Sequence, residues 1–134
     1  MKKSLILFVI LILFNYGCKQ RTINKAKNIV GKGLVAKNKY YDFGQVSQSK
    51  LDSIDFSFLL LNSGDSDISI HDIDVSCRCV VVEQSFQTIH PYETKSITGK
   101  IGIKGQEKRI NKSIFVNYAN DNVLLLRVKG VVTE

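Results

Sequence analysis

Residues 68–82, ISIHDIDVSCRCVVV, carry the pattern that decides the fold. Apolar and polar side chains alternate on either side of a Cys-x-Cys step, and a period of two is typical of β-strands. Ile68 and Ile70 share one parity, whereas Ile73 and Val75 share the other. We therefore predict a strand that a β-bulge interrupts between Ile70 and Ile73, followed by a second strand after the cysteines.

The same alternation continues from residue 40 to the end of the chain. Turn-forming residues separate the runs, as at residues 62–65, where Gly64 can supply a positive φ, and at residues 120–122. About seven short strands without a helix in roughly 100 residues favour an immunoglobulin-like β-sandwich over a closed barrel. The predicted core-facing positions include Ile54, Phe56, Phe58, Leu60, Ile97, Gly99, Ile101, Ile103, Leu124, Leu126, Val128 and Val132.

The first 17 residues have the layout of a secretory signal peptide. Two lysines precede an apolar run at residues 5–14, which is too short to span a bilayer because a helix needs about 20 residues to do so. A glycine then stands directly before Cys18, as at bacterial lipoprotein cleavage sites, although Asn15 replaces the usual aliphatic residue. We expect Cys18 to be acylated and to become the mature N-terminus; ordinary secretion and an uncleaved anchor are the alternatives.

The net charge of +7 lies outside the predicted domain. Residues 19–39 hold seven basic residues and no acidic one, whereas residues 40–134 hold 10 basic and 12 acidic residues, a net of 10 − 12 = −2. Because the predicted domain has no dense basic cluster, it lacks the electrostatic footprint of a nucleic-acid-binding protein, and we predict no such partner. The basic segment is either a soluble spacer or a tether attracted to an anionic leaflet.

These observations predict three parts. Residues 1–17 form a lipoprotein-type signal peptide, residues 18–39 comprise the acylated cysteine and a basic tether, and residues 40–134 form the immunoglobulin-like domain. The expected location is the bacterial cell envelope, with the domain anchored to the membrane by lipid and facing the periplasm.

Cys77 and Cys79 are the remaining cysteines and the main candidates for chemistry. In an extended strand their Cα atoms would lie about 6.6 Å apart, near the upper limit for a disulfide, and both thiols would face the core. Closing so short a loop would stabilise the fold by only about 1.6 kcal/mol. The open interpretations are a structural buried or bridged pair, a redox-active disulfide, a soft-metal site for Cu(I) or zinc with further ligands, and intermolecular pairing.

Other side chains offer weaker candidates. Four carboxylates suggest a calcium site but lack the spacing of an EF-hand loop, so turn and surface roles are favoured for Asp65, Asp67, Asp72 and Asp74. The only histidines, His71 and His90, do not stand at a ligand spacing from the cysteine pair. No Gly-x-Ser-x-Gly motif or phosphate-binding glycine loop occurs. We therefore predict no metal, no cofactor and no catalytic residue.

Five motifs follow one another along the predicted domain: YDFGQV at 41–46, FLLLNSGD at 58–65, VSCRC at 75–79, IHPYE at 89–93 and LLLRVKGVV at 124–132. In order and spacing they resemble the bacterial domain-of-unknown-function family 1573, with Arg78 and Tyr92 at positions where that family has glycine. The resemblance covers residues 40–132. It implies an immunoglobulin-like domain on secreted or lipid-anchored bacterial proteins and implies no activity.

Together these features predict a non-enzymatic, membrane-tethered module that binds or scaffolds an unknown envelope protein, with an exposed sheet edge as the recognition surface. The alternative is an envelope thiol-redox or soft-metal-handling protein that uses Cys77 and Cys79.

Overall fold

The computed structural model describes residues 33–106 and 108–134, which form two packed β-sheets. Nine strands make up these sheets: β1 (Leu34–Ala36), β2 (Tyr40–Ser47), β3 (Ser53–Asn62), β4 (Ile68–Val75), β5 (Val80–Glu83), β6 (Thr88–Ile89), β7 (Thr94–Gly102), β8 (Arg109–Tyr118) and β9 (Asn122–Thr133). The first sheet has the order β1-β3-β7-β5 and the second the order β2-β9-β8-β4-β6. All pairs are antiparallel except β2 and β9.

The all-β prediction is confirmed, since the described residues contain no helix. No membrane-spanning helix is therefore present among the residues that the structure describes. Seven of the nine strands correspond to the predicted runs. The two additional strands, β1 and β6, have three and two residues.

Strand β1 places the start of the domain earlier than predicted. Leu34 and Ala36 are buried, and β1 pairs with the end of β3 through Leu34 and Asn62. Residues 34–36 already belong to the first sheet, so this sheet begins before the predicted boundary between residues 39 and 40. The predicted signal peptide, Cys18 and the tether up to residue 32 lie outside the described residues.

The core lies between the sheets and follows the predicted period of two. The buried apolar residues include Phe56, Phe58, Leu60, Ile97, Ile101, Ile103, Leu124, Leu126, Val128 and Val132. Each such side chain contributes about 1.5–3 kcal/mol when it is fully buried. Tyr41 of β2 reaches across to Phe56 and Phe58 of β3, with ring centroids 6.2 and 6.4 Å away. These contacts join the two sheets.

The edge of β4 is only partly covered. Strand β6 pairs with Ile68 and Ser69, and the N–H of Ile70 donates to the carbonyl of Gln87 at 2.7 Å. The register with β8 shifts between Ile70 and Asp72, which confirms the predicted bulge. Beyond it, residues 72–75 pair with β8 on one side, and no described strand pairs with residues 71–75 on the other.

Candidate functional site

The Cys-x-Cys step lies in the connection between β4 and β5. Strand β4 ends at Val75 and β5 begins at Val80, so residues 76–79 bend and turn where an extended strand was expected. The turn brings the Cα atoms of Cys77 and Cys79 to 5.2 Å, and a disulfide joins their sulfurs. Only Cys79 packs against the core, so the predicted core-facing orientation is wrong for Cys77.

Main-chain hydrogen bonds hold this turn on the β5 side. The N–H of Val80 donates to the carbonyl of Cys77 at 3.0 Å, and the N–H of Gly102 donates to the carbonyl of Cys79 at 2.8 Å. The N–H of Cys79 also donates to Sγ of Cys77 at 3.1 Å. Arg78, between the two cysteines, is exposed. The sulfur of Cys77 therefore has a backbone donor as well as its bonded partner.

Ser76 holds the same turn on the β8 side. Its N–H donates to the carbonyl of Ser113 at 3.0 Å, and its hydroxyl accepts the N–H of Ser113 at 2.9 Å. Both ends of the Cys-x-Cys step are thus fixed by contacts that do not involve sulfur.

A groove follows the uncovered edge of β4. We call it the β4 groove; it measures about 620 Å³ and is lined by Ile70, His71, Ile73, Val82, Gln84, Ser85, Phe86 and Gln87. Because the N–H of Ser76 points to β8, the alternation of an antiparallel strand directs the N–H groups of Ile73 and Val75 towards this edge. On the opposite wall, the side-chain amide of Gln84 donates to the carbonyl of Phe86. The β4 groove thus combines an open strand edge with polar side chains.

The acidic side chains considered for calcium take separate positions. Asp67 lies 2.9 Å from Nδ1 of His90, and Asp74 accepts a hydrogen bond from the Asn117 amide at 2.9 Å. Asp72 is exposed on the β4 edge strand. Within residues 33–106 and 108–134, no three His, Cys, Asp or Glu side chains are grouped so that they could hold a metal ion.

Two charged contacts flank the turn between β6 and β7. The hydrogen bond with Asp67 raises the pKa of His90, and the negative charge of Asp67 acts in the same direction. The ammonium of Lys95, 2.6 Å from Glu93, lowers the pKa of that carboxyl, and the N–H of His90 that donates to Glu93 lowers it further. Asp67 and His90 are exposed and Glu93 and Lys95 are half-buried, and these contacts stabilise the turn without forming a cleft.

Asn62, at the end of β3, is a buried polar residue that sequence reasoning missed. It is 0% exposed, and its amide donates to the carbonyls of Ser66 at 2.7 Å and Ile89 at 2.9 Å. Its Oδ1 accepts the N–H of Gly64 at 2.9 Å. The expectation that Gly64 supplies a positive φ is wrong, because the Asn62 side chain forms the turn instead. The sequence Asn-Ser-Gly could have indicated this turn, because an asparagine side chain often bonds to the backbone two residues later.

The IHPYE motif forms a turn that docks on Asn62. The N–H of Glu93 donates to the carbonyl of His90, Pro91 stands second, and Tyr92 stands third with φ of 60°. This is the pattern of a type II turn, whose third position favours glycine. The N–H of Tyr92 donates to the carbonyl of Asn62 at 2.9 Å, and the N–H of Asn62 donates to the carbonyl of Glu93 at 3.0 Å. The second and fourth motifs therefore form one unit.

The first and fifth motifs form another unit. A Cβ added at Gly130 would lie 2.2 Å from the Phe43 ring, so this ring packs directly on the glycine. The register of β2 shifts between Asp42 and Gln45, where Gly44 has φ of 70° and its N–H donates to Oδ1 of Asp42 at 2.9 Å. That hydrogen bond lowers the pKa of Asp42, and Lys129 adds to the effect. These motifs thus dock β2 on β9.

Three solved structures resemble this fold at low identity. A protein of unknown function from Porphyromonas gingivalis W83 matches with a TM-score of 0.64 and 14% identity, over 74% of this chain and 46% of that chain. The secreted serine protease VesC from Vibrio cholerae matches with 0.60 and 12%, over 76% and 23%. The ASH/PapD-like domain 7 of human CEP192 matches with 0.58 and 10%, over 77% and 87%. This chain spans less than half the length of the first two.

At these identities the structural similarity shows the fold alone, which is of the immunoglobulin-like, PapD-like kind. No protein with a curated description matches the sequence. A family model, "Protein of unknown function (DUF1573)", matches residues 34–132 and begins where β1 begins. The match includes all five motifs and confirms the resemblance seen in the sequence. The chain therefore belongs to the DUF1573 family.

Proposed function

We propose that this protein is a non-enzymatic binding module of the bacterial cell envelope, tethered to the membrane through an acylated Cys18. Its partner is another envelope protein, which adds an extended segment to β4 along the β4 groove. The observation that carries the proposal is the outer edge of β4 at residues 71–75, with which no described strand pairs and which borders a groove of about 620 Å³.

The chemistry of this edge suits an extended peptide. An uncovered strand presents alternating N–H and C=O groups, which pair with a peptide backbone, while adjoining pockets select its side chains. Along this edge the backbone groups of Ile73 and Val75 supply the pairing, and His71 and Gln87, which line the β4 groove, supply polar contacts. The opposite edge of the same sheet, β2, is bulged between Asp42 and Gln45, a feature that blunts edge pairing.

The architecture of the motifs supports a binding role. Four of the five motifs are explained by their contacts with one another: Asn62 with the turn at residues 90–93, and Phe43 with Gly130. These residues build the sandwich and do not converge on a cleft. The membrane anchor is supported by the apolar run and cleavage-type sequence around Cys18, which precede the domain in the chain.

Site-specific photocrosslinking in intact cells tests the recognition surface. A photoreactive amino acid at His71, which is exposed and lines the β4 groove, should crosslink a discrete partner. The matched control carries the same amino acid at Lys50, which is exposed in the turn between β2 and β3. A partner captured from both positions alike, or one also captured by the tether without the domain, would refute recognition by the β4 groove.

Intact mass of the mature protein tests the anchor. The expected species begins at Cys18 and carries acyl chains, since two chains are needed for stable membrane attachment. A mature protein that lacks lipid and appears in the soluble fraction would refute the anchor. The binding role of the β4 edge would still be decided by the crosslinking result.

A further inference from the structure

We propose that the Cys77–Cys79 disulfide is a reversible thiol–disulfide exchange site, which accepts electrons from a dithiol on a protein or a small molecule. This inference concerns a different site from the β4 groove and stands independently of the proposed binding function. Three observations carry it: main-chain hydrogen bonds hold the turn that the disulfide closes, Cys79 but not Cys77 packs against the core, and the Cys77 sulfur has a hydrogen-bond donor.

The disulfide closes a very short loop and joins no distant parts of the chain. Its cysteines are two residues apart, whereas disulfide stabilisation increases with the length of the closed loop. Hydrogen bonds from Val80 and Gly102 to the cysteine carbonyls fix one side of the turn, and Ser76 fixes the other. The turn therefore keeps its place when the bond is reduced. Reversible exchange requires this, because both redox states must stay folded.

The two sulfurs are not equivalent. Both cysteines are half-buried, and of the two only Cys79 packs against the core. An incoming thiolate therefore has freer access to Cys77. The exposed Arg78 adds a positive charge beside the site, which favours the approach of an anionic thiolate.

The exchange proceeds in two balanced steps. One thiolate of the dithiol attacks Sγ of Cys77; the Cys77–Cys79 bond breaks, and Cys79 leaves with the electron pair and takes up a proton. The second thiolate of the dithiol then attacks the first sulfur of the same dithiol, which is bonded to Cys77 in the mixed disulfide. This attack releases Cys77 as a thiolate. The dithiol is oxidised to a disulfide, and the protein disulfide is reduced to two thiols.

The hydrogen bond from Cys79 N–H supports the second step. This donor lies 3.1 Å from Sγ of Cys77 and stabilises the negative charge that develops there as Cys77 leaves. A more stable leaving thiolate leaves faster.

Equilibration with glutathione tests reversibility. The full chain carries Cys18→Ser, so that two cysteines remain, and is incubated under native conditions in buffers of increasing reduced-to-oxidised glutathione ratio. We expect a gradual, reversible gain of two hydrogens by mass spectrometry, with an unchanged melting temperature. A disulfide that remains oxidised in excess reduced glutathione, or that is reduced only when denaturant unfolds the domain, would overturn the proposal.

A double variant separates exchange from a structural role. Cys77→Ser combined with Cys79→Ser should melt close to the oxidised parent, because the turn is held by the main chain. If the double variant were unfolded or aggregated, with no melting transition near that of the parent, the bond would be structural and the proposal would fail.

Single-cysteine variants test whether the backbone donor makes the Cys77 sulfur the more reactive of the two. In the Cys18→Ser background, the variant that retains Cys77 should react with a small aromatic disulfide about threefold faster at neutral pH than the variant that retains Cys79. The reason is that the Cys77 sulfur accepts a hydrogen bond from the backbone N–H of residue 79, which stabilises negative charge on it. Equal rates, or faster reaction of Cys79, would overturn the role of Cys77.

Discussion

Asn62→Ala is the substitution from which the largest effect is expected, because Asn62 is a fully buried polar residue that joins two loops. The change removes two amide donors and one acceptor, and leaves the carbonyls of Ser66 and Ile89 and the N–H of Gly64 without this partner. A buried group that loses its partner costs about 1–3 kcal/mol. Two of these hydrogen bonds are fully buried and the third is partly buried, so we expect a total loss of about 3–5 kcal/mol.

Urea unfolding measures this loss. Domains of this size have a free energy of unfolding of about 5–15 kcal/mol, so the Asn62→Ala variant should lose a large part of it. The matched control is Asn117→Ala, since the Asn117 amide donates to Asp74 at the surface and this variant should lose less than about 1 kcal/mol. If Asn62→Ala were no more costly than Asn117→Ala, the assigned role of Asn62 would be wrong.

Three further substitutions test other contacts. Gly130→Ala should lower the free energy of unfolding by about 1–3 kcal/mol, because the added Cβ would overlap the Phe43 ring. The same change should cost much less in a Phe43→Ala background. Equal losses in the two backgrounds, measured by urea unfolding, would refute the contact. Tyr92→Gly should raise the free energy of unfolding by about 1 kcal/mol, since glycine adopts the positive φ without strain and the Tyr92 side chain is 72% exposed; a loss of stability would show that the ring is needed. Asp67→Asn should lower the pKa of His90 towards its ordinary value, as followed by NMR. Because the folded pKa of His90 is raised, the Asp67 contact stabilises the fold below about pH 6.5 and loses this effect as the pH rises through the folded pKa; an unchanged His90 titration would contradict it.

The long strands could be predicted from the sequence because burial imposes a period of two on them. In β3, Phe56, Phe58 and Leu60 are buried while Asp55 and Ser57 are exposed. The reversal of parity after Ile70 likewise indicated the bulge in β4. In each case the side chains themselves record which face is inside.

The short strands and the turn geometry could not be predicted in this way. Strands β1 and β6 have three and two residues, too few to show a period, and they join their sheets through backbone pairing with β3 and β4. The turn after β3 was expected to depend on Gly64, but a buried side chain of Asn62 determines it. An asparagine that caps a turn in the core has the same local sequence as one in an exposed turn. Its burial depends on the distant residues 89–93.

The five family motifs make different demands on the fold, and this difference locates the candidate chemistry. Asn62 with the turn at residues 90–93, and Phe43 with Gly130, are pairs in which each partner explains the other through a hydrogen bond or a ring contact. The Cys-x-Cys motif has no such partner motif. Its turn is fixed by main-chain hydrogen bonds from Val80 and Gly102, and the disulfide adds a bond that the geometry of the turn does not require. Because main-chain hydrogen bonds already hold this turn, the proposed thiol exchange would give the two sulfurs a role beyond the packing of Cys79 against the core.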